Sequence, residues 1–297
     1  MTTIPLIANP AAGGGRCGAK IDEAVKRLAT GGVTVEVLRT NGPGHASALA
    51  RRCWEEGKRT VLCAGGDGTT YEVVNGLFPH KGDVRPTLGI LPLGTGNSFI
   101  KDFGIRSEDD AFRAVLSPSR KAVDVIRGDH TKGAIHFVNL LSVGFTSDVG
   151  ATTNRRFKPL GPAGYAVATV LEVARLKSRS FPHTLDGGPV DAAPYVFLSF
   201  NNSRCTGGDM QMAPDANVSD GMLDVIRVGD LTRLELLTTF PKIYKGTHLE
   251  HPKNSSARAK VVEFDLPGPL GVMVDGEVLT LHLRKLTVLP SALEIMA

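Results

Sequence analysis

Three glycine-rich turns, each lying between a short apolar run and a helical pattern, constrain this chain more than any other feature. The first is Asn9-Pro10-Ala11-Ala12-Gly13-Gly14-Gly15-Arg16-Cys17-Gly18. The second is Ala64-Gly65-Gly66-Asp67-Gly68-Thr69-Thr70, and the third is Leu91-Pro92-Leu93-Gly94-Thr95-Gly96-Asn97-Ser98. The runs before them, Ile4 to Ala8, Thr60 to Ala64 and Thr87 to Leu91, have the length and apolarity of buried strands. After the first turn Ile21, Ala24, Val25, Leu28 and Ala29 recur at helical spacing until Gly31-Gly32. Helices are also expected over Ala46–Glu56, Glu72–Leu77 and Asn97–Phe103, with a strand over Val33–Leu38. Ser107 starts a further helix, with Glu108, Asp109 and Asp110 in the first turn where the helix dipole favours acids. This alternation predicts an α/β N-terminal domain, a parallel sheet with flanking helices. Its turns fall at the carboxyl ends of the strands, where open α/β sheets bind ligands.

Glycine permits positive φ and lets amide N–H groups approach an anion closely, and a following helix N-terminus adds to that field. Asp67 can reach a phosphate-bound magnesium, since hard cations take carboxylate oxygens; the alternative is an ordinary Asp-Gly turn. Thr95 can offer a hydroxyl to phosphate or ribose, and Asn97 can cap the next helix. The first turn contains a literal GxGxxG (Gly13, Gly15, Gly18) in the dinucleotide-binding context. That reading asks for an acid ending the second strand, which instead closes on Arg39-Thr40 with Glu36 inside it. Ala19 stands where a P-loop requires lysine.

Near residue 124 the pattern changes. Strand runs dominate: Ala122–Arg127, Ile135–Val143, Tyr195–Phe200, Leu223–Val228, Lys260–Leu266, Gly271–Val274 and Val278–Val288. Helices interrupt them near Gly164–Lys177 and Leu231–Pro241. Few crossover helices predict a β-rich antiparallel C-terminal domain, a sandwich or flattened barrel over residues 124–287. Two of its turns carry acids. Asp220-Gly221, in the run from Gly207-Gly208-Asp209-Met210 to Asp224, offers a carboxylate and main-chain carbonyls to a hard cation, or is a hairpin turn. Val274-Asp275-Gly276-Glu277 is a strong hairpin signal whose Asp275 or Glu277 can also serve as a general base. His45 reads as a helix-start residue and Trp54 as packing.

Composition excludes some classes. Of 297 residues, 42% are hydrophobic and 22% charged, enough for a sizeable core. A net charge of +4 suits anionic substrates or an anionic membrane surface, and no basic run with interleaved aromatics points to nucleic acid. Cys17, Cys53, Cys63 and Cys205 lack metal spacing and read as reduced thiols of a cytoplasmic protein. The start lacks a signal-peptide pattern, and no stretch reaches the ~18 apolar residues of a spanning helix, so membrane contact would be peripheral. Arg155, Arg156, Lys158, Arg175, Lys177 and Arg179 flank an apolar helix, Tyr165–Leu176. It can rest on anionic headgroups or be a core helix with solvated ends.

Taken together and in order, these motifs resemble the diacylglycerol kinase catalytic-domain family, which includes bacterial soluble lipid kinases, sphingosine kinases and ceramide kinases. The resemblance runs through Asn9-Pro10…Gly13, Thr40…Gly44-His45-Ala46, Gly65–Thr69, Pro92–Asn97, Val143-Gly144-Phe145, Ala213-Pro214…Asp220-Gly221…Leu223-Asp224 and Asp275-Gly276-Glu277. It implies an ATP- and magnesium-dependent lipid kinase that phosphorylates a hydroxyl of a lipid such as diacylglycerol by direct in-line transfer. By the same resemblance ATP sits between two domains, contacted by Asn9, Thr40, Gly65, Gly66, Asp67, Gly68, Thr69, Thr70, Gly94, Thr95 and Asn97. Asp67 acts through magnesium, and one of Asp275 and Glu277 is the base. Asp220 with the carbonyls of Asn217 and Met222 matches a structural magnesium site. The final segment, residues 288–297, joins the nucleotide domain, residues 1–123. A cytoplasmic, peripherally membrane-associated protein is implied, and a homodimer is compatible. Departures are Ala12 for a frequent serine, Arg16 for a lysine, Ser98 for a common aspartate and Asp209 for a third glycine; they bear on phosphate contacts. An NAD kinase shares the Gly-Gly-Asp-Gly core but not the Pro-Leu-Gly-Thr-Gly-Asn and Asp-Gly-Glu turns. A non-catalytic nucleotide- or lipid-sensing protein on the same fold is the alternative of another class.

Overall fold

The computed structural model describes residues 3–78, 84–153, 156 and 161–297, with the backbone alone over 161–166. Arg155, Lys158 and the side chain of Tyr165 therefore lie outside what is described. Strands β1 (Ile4–Ala8), β2 (Val35–Arg39), β3 (Thr60–Ala64) and β4 (Thr87–Leu91) pair in parallel in the order β2-β1-β3-β4. Helices α1 (Arg16–Thr30), α2 (His45–Glu55), α3 (Asp67–Leu77) and α4 (Glu108–Leu116) lie between and after them. α1 buries Cys17, Ile21, Ala24 and Leu28, its apolar stripe, in the core of this layer. Ser107 caps α4 through a reciprocal pair with Asp110.

The sheet does not stop at β4. The last strand, Leu283–Met296, pairs in parallel with β4 at Glu294–Thr87 and Ile295–Leu88. Along most of its length it also runs antiparallel to β5 (Arg120–His130), which pairs in turn with β6 (Gly133–Phe137). One nine-stranded sheet thus passes through both halves of the chain. A second sheet of six strands is antiparallel throughout, in the order Asn254–Ala259, Leu223–Val228, Phe197–Asn201, β7 (Leu140–Gly144), Leu270–Val274, Glu277–Leu281. Phe137, Leu141, Phe200, Val225, Val262, Val274 and Leu286 fill the space between the two sheets. This is the antiparallel sandwich expected from the strand-rich half.

The outer face of the six-stranded sheet is covered by α5 (Phe145–Thr152), α6 (Gly161–Ala174) and α7 (Arg233–Thr239). That cover explains why Phe197–Asn201 is buried on both faces and shows no alternation. α5 was not expected from the sequence, and one expected strand over Ile135–Val143 is two, β6 and β7, broken at Val138-Asn139. The helix after the third turn is a short 3-10 turn, Phe99–Phe103, and Asn97 does not cap it; its side chain donates to the Gly94 carbonyl at 3.3 Å. α7 stops at Thr239, where Pro241 shapes a 3-10 turn over Phe240–Lys245.

The two halves are keyed together along α3. The side-chain amide of Asn75 donates to the His136 carbonyl at 2.7 Å and accepts from the His136 N–H at 2.8 Å. The Tyr71 ring joins the core of the sandwich, and Phe78 stacks on the His136 ring with centroids 5.2 Å apart. On its other side α3 meets α2 at Gly76, where a Cβ would collide with the Ser47 carbonyl oxygen and lie 2.6 Å from the Ala50 Cβ. Helix propensity alone gives Gly76→Ala a gain of about 1 kcal/mol. Overpacking two helices that touch through backbone costs about 1–3 kcal/mol and dominates. Gly76→Ala should therefore lower the urea midpoint with an unchanged slope, and a raised midpoint would show that α2 and α3 separate freely.

Candidate active site

The three glycine turns converge on the N-terminus of α3. The helix begins at Asp67 itself, with Gly66 as its N-cap, rather than near Glu72 as the apolar pattern suggested. The second and third turns touch backbone to backbone. Gly94 N–H donates to the Gly65 carbonyl at 2.8 Å, and Asp67 N–H donates to the Gly96 carbonyl at 2.9 Å. A Cβ on Gly94 would lie 2.7 Å from the Gly66 Cα, and one on Gly66 would lie 2.9 Å from the Gly96 oxygen. No side chain fits at either position, so the glycines here are a packing requirement. In the first turn Gly13, Gly14 and Gly15 all have positive φ, and α1 starts directly after them. Arg16 ties this turn to the third, its Nε donating to the Gly13 carbonyl at 3.0 Å and its Nη2 to Thr95 Oγ1 at 3.4 Å. Asn9 ties it to the second, donating from Nδ2 to Thr69 Oγ1 at 3.1 Å. Thr40 stands at the same edge, its N–H donating to the Ala8 carbonyl. The hydroxyls of Thr69 and Thr70 are turned inward: Thr70 Oγ1 lies 3.9 Å from Cys63 Sγ, and both residues are buried.

Asp67 is held from the third turn. Both its oxygens accept from the Ser98 N–H, at 3.0 and 3.2 Å. Burial raises its pKa, while Ser98, the Phe99 amide and Lys101 pull it back. Ser98 is fully buried, and its Oγ accepts from the Gly208 N–H at 3.1 Å. Asp209 pairs with Lys101 at 2.5 Å. The departures at residues 98 and 209 are thus neighbours in space, and together they fasten the hairpin of residues 205–211 to the third turn.

The second acidic pair arrives from the sandwich. Asp275 and Gly276 both have positive φ, the geometry of a tight two-residue hairpin between Leu270–Val274 and Glu277–Leu281. The Asp275 carboxylate turns inward. Its Oδ2 accepts from Val138 N–H at 3.0 Å, and its Oδ1 from Asn139 and Leu140 N–H at 3.1 and 2.9 Å. Those amides span the break between β6 and β7 and the first residue of β7, beginning two residues after His136. Asn202 braces the same break, its Nδ2 donating to the carbonyls of Asp124 and Val138. Burial pushes the Asp275 carboxyl up to about 7 against these donors, with Asp67 adding to the rise. Glu277 is exposed and leans the other way, its Oε1 directly over Gly68, the second residue of α3. Glycine at 68 keeps the space that this carboxylate occupies. Tyr71, one helical turn after Asp67, lies close to both acids, and its pKa is raised by burial first and then by Asp275, Glu277 and Glu72.

The structure therefore brings Asn9, Asp67, the glycine turns, Thr95, Asp275 and Glu277 into one place. Hard oxygen donors flank a helix N-terminus there, and the glycines leave room beside them. This fits a nucleotide phosphate chain with magnesium. The Asp220 turn is not part of this cluster. Asp220 Oδ1 accepts from Met222 N–H at 3.0 Å, Oδ2 is paired with Arg258, and Asn217 Oδ1 accepts from Ser219 N–H at 3.1 Å. Asp124 holds Gly221 N–H at 2.6 Å and Ser291 N–H at 2.7 Å, tying this turn to β5 and the last strand. With Arg258 on one Asp220 oxygen, a cation taking the set Asn217, Asp220 and Met222 would have to share or displace that guanidinium. Among the described residues no group of three or more His, Cys, Asp or Glu could hold a metal ion. The sequence reading missed Asn75, Tyr71 and Asn202, and took Ser98 only as a departure bearing on phosphate contacts. Asn75 and Ser98 are distant in the chain from their partners, and no local pattern marks them.

Residues 3–128 match the diacylglycerol kinase catalytic domain, and residues 139–297 match the YegS C-terminal NAD kinase beta sandwich-like domain. A diacylglycerol kinase of Mycobacterium tuberculosis is 31% identical over 99% of this chain and 94% of its own length. One from Staphylococcus carnosus is 29% identical over 92% of this chain and 87% of its own. A crystal structure of a diacylglycerol kinase from Bacillus anthracis superposes with a TM-score of 0.73 at 22% identity, covering 99% of this chain and 96% of that one. The chain belongs to the diacylglycerol kinase catalytic-domain family of lipid kinases.

Asp275 gives a testable sign. A carboxyl whose folded pKa is about 7 against an ordinary 3.8 is stabilised as its neutral form. Its contribution is full below the ordinary value and is lost as pH rises through the folded one. The stability of the wild type relative to Asp275→Asn should fall from about pH 4 to about pH 7 and be level above. Urea unfolding of both proteins across that range measures it; a constant difference would mean that the three amides keep the carboxylate ionised throughout.

Proposed function

We propose that this chain transfers the γ-phosphoryl group of ATP directly to a hydroxyl of a lipid such as diacylglycerol. The nucleotide lies between two domains, residues 1–123 with 288–297 and residues 124–287. The observation that carries the reading is the Glu277 carboxylate, delivered by the sandwich onto the second residue of the helix whose first residue is Asp67. The phosphate chain lies against the glycine turns, where the N-terminus of α3 stabilises negative charge. Asp67 is the residue that would hold magnesium brought with the nucleotide, which supplies neutralisation of phosphate charge.

Glu277 is the base in this account, and Asp275 is the anchor that aims it. Asp275 has most of its lone pairs taken by three amides, whereas Glu277 reaches the phosphate turn. The lipid hydroxyl loses its proton to Glu277 as its oxygen bonds to phosphorus, while the bond from phosphorus to the bridging oxygen of ADP breaks. Family membership over nearly the whole chain supports lipid over NAD as acceptor, as do the Asp-Gly-Glu and Pro-Leu-Gly-Thr-Gly-Asn turns.

The test uses labelled ATP with diacylglycerol, phosphatidylglycerol, a sphingoid base, an isoprenoid alcohol and NAD as separate acceptors. Label should pass to a lipid and not to NAD. Glu277→Gln should lower kcat by about 10²–10⁴-fold with little change in thermal stability, because the side chain is exposed. Binding of ATP without transfer to any acceptor would favour the sensing reading. A Glu277→Gln protein as fast as wild type would remove Glu277 from the chemistry.

A further inference from the structure

α7 and the 3-10 turn after it leave an apolar stripe in solvent. Leu234, Leu237, Phe240 and Tyr244 are 72%, 56%, 38% and 52% exposed, four of the nine large hydrophobic residues that stand out among the described residues. Scattered exposed hydrophobics are ordinary, but four in one short stretch form a patch. The same segment turns Leu236, Thr239 and Ile243 into the core against the six-stranded sheet, so the fold already has its buried face and the stripe is surplus to it.

Within the segment, residues 233–245, the exposed charges have one sign. Arg233, Lys242 and Lys245 are exposed beside it. The single acid of the segment, Glu235, is spent on Lys253 at 2.8 Å and on the Thr232 N–H at 2.7 Å. Next to Arg233 opens a shallow cavity of about 550 Å³, lined by Phe145, Leu176 and Lys177 and by two ion pairs, Arg175 with Glu172 and Arg179 with Asp148.

The stripe also lies one hairpin from the catalytic turn. Gln211 Nε2 donates to the Tyr244 carbonyl at 3.3 Å. At the other end of that hairpin Gly208 N–H donates to Ser98 Oγ, and Ser98 N–H holds Asp67.

We propose that the Leu234–Tyr244 face docks on an anionic lipid bilayer and so brings the site to a substrate that does not leave the membrane. The proposal rests on the lipid-kinase reading. Leucine, phenylalanine and tyrosine enter the boundary between headgroups and acyl chains, and the flanking cations meet anionic headgroups. A second copy suits the face less well, since a two-fold contact joins the face to itself and brings two sets of the cations Arg233, Lys242 and Lys245 together.

The experiment is sedimentation of the full chain with vesicles, without ATP. The vesicles are phosphatidylcholine alone, or phosphatidylcholine with roughly one-third phosphatidylglycerol. Wild type should sediment with the anionic vesicles and less so at high salt. The double variants Leu234→Ser with Leu237→Ser, and Lys242→Glu with Lys245→Glu, should bind about tenfold more weakly or worse. Both should phosphorylate short-chain diacylglycerol in detergent at the wild-type rate. Vesicle binding by either variant equal to wild type overturns the proposal, as does a wild type indifferent to phosphatidylglycerol. So does a wild-type dimer that the leucine variant makes monomeric, which would give the stripe to a second copy. Failure of wild type to phosphorylate the detergent-dispersed lipid instead strikes the lipid-kinase reading, and the vesicle result stands apart from it.

Discussion

The pair of hydrogen bonds between Asn75 and the backbone of His136 fixes the relation between the two halves of the site. Asn75 lies two turns along α3 from Asp67, and His136 lies two residues before the amides that grip Asp275. A single helix therefore carries both the N-terminus where a phosphate chain can lie and the bracket that aims the acid-bearing hairpin. Both hydrogen bonds are made with one side-chain amide, which needs both its donor and its acceptor used and so sets the helix at one height along β6. The Tyr71 ring, buried in the sandwich core, prevents rotation about that point.

Electrostatics and crowding then complete the arrangement. Asp67, Asp275 and Glu277 would repel one another if all were dry and unpartnered. Each is handled differently: Asp67 by the Ser98 amide with Lys101 beyond it, Asp275 by three amides, Glu277 by exposure. The glycines at 66, 94 and 96 remove side chains where two turns and a carboxylate meet at van der Waals distance. Strain accepted at Asp275, with φ of 44°, is repaid by the amides it reaches. The same hairpin logic recurs at residues 205–211, which couple the third turn to the exposed stripe after α7.

Much of this was legible in the sequence because it is local. Strand, glycine turn and helix follow one another within about ten residues, so spacing alone locates β1, β3, β4 and their turns. The Asp275-Gly276 turn is equally local, because two positive φ values in succession call for such a pair. The start of α3 was misread because its first turn, Asp67-Gly68-Thr69-Thr70, has no apolar periodicity, although all four residues are helical. α5 was missed because Val143-Gly144-Phe145 reads as continuing strand, while Gly144, with φ of 94°, turns the chain into a helix. Asn97 has the composition of a cap, yet its side chain is drawn back to Gly94, and Ser98 takes the end position. The bonds that give Asn75, Ser98 and Asn202 their place in the site reach partners 61, 31 and 64–78 residues away, and no short window of sequence contains both members of such a pair.

The most direct test of the account is the kcat of Asn75→Ala alongside its affinity for ATP. The glycine turns and the start of α3 lie away from Asn75, so ATP should bind as in wild type. Loss of the His136 bridge lets the Asp275–Glu277 hairpin drift relative to Asp67, and displacement of a reacting group by about 1 Å costs on the order of 10²-fold in rate. In Asn75→Ala kcat should therefore fall at least about tenfold with unchanged ATP affinity. A variant with wild-type kcat, whatever its stability, would contradict it.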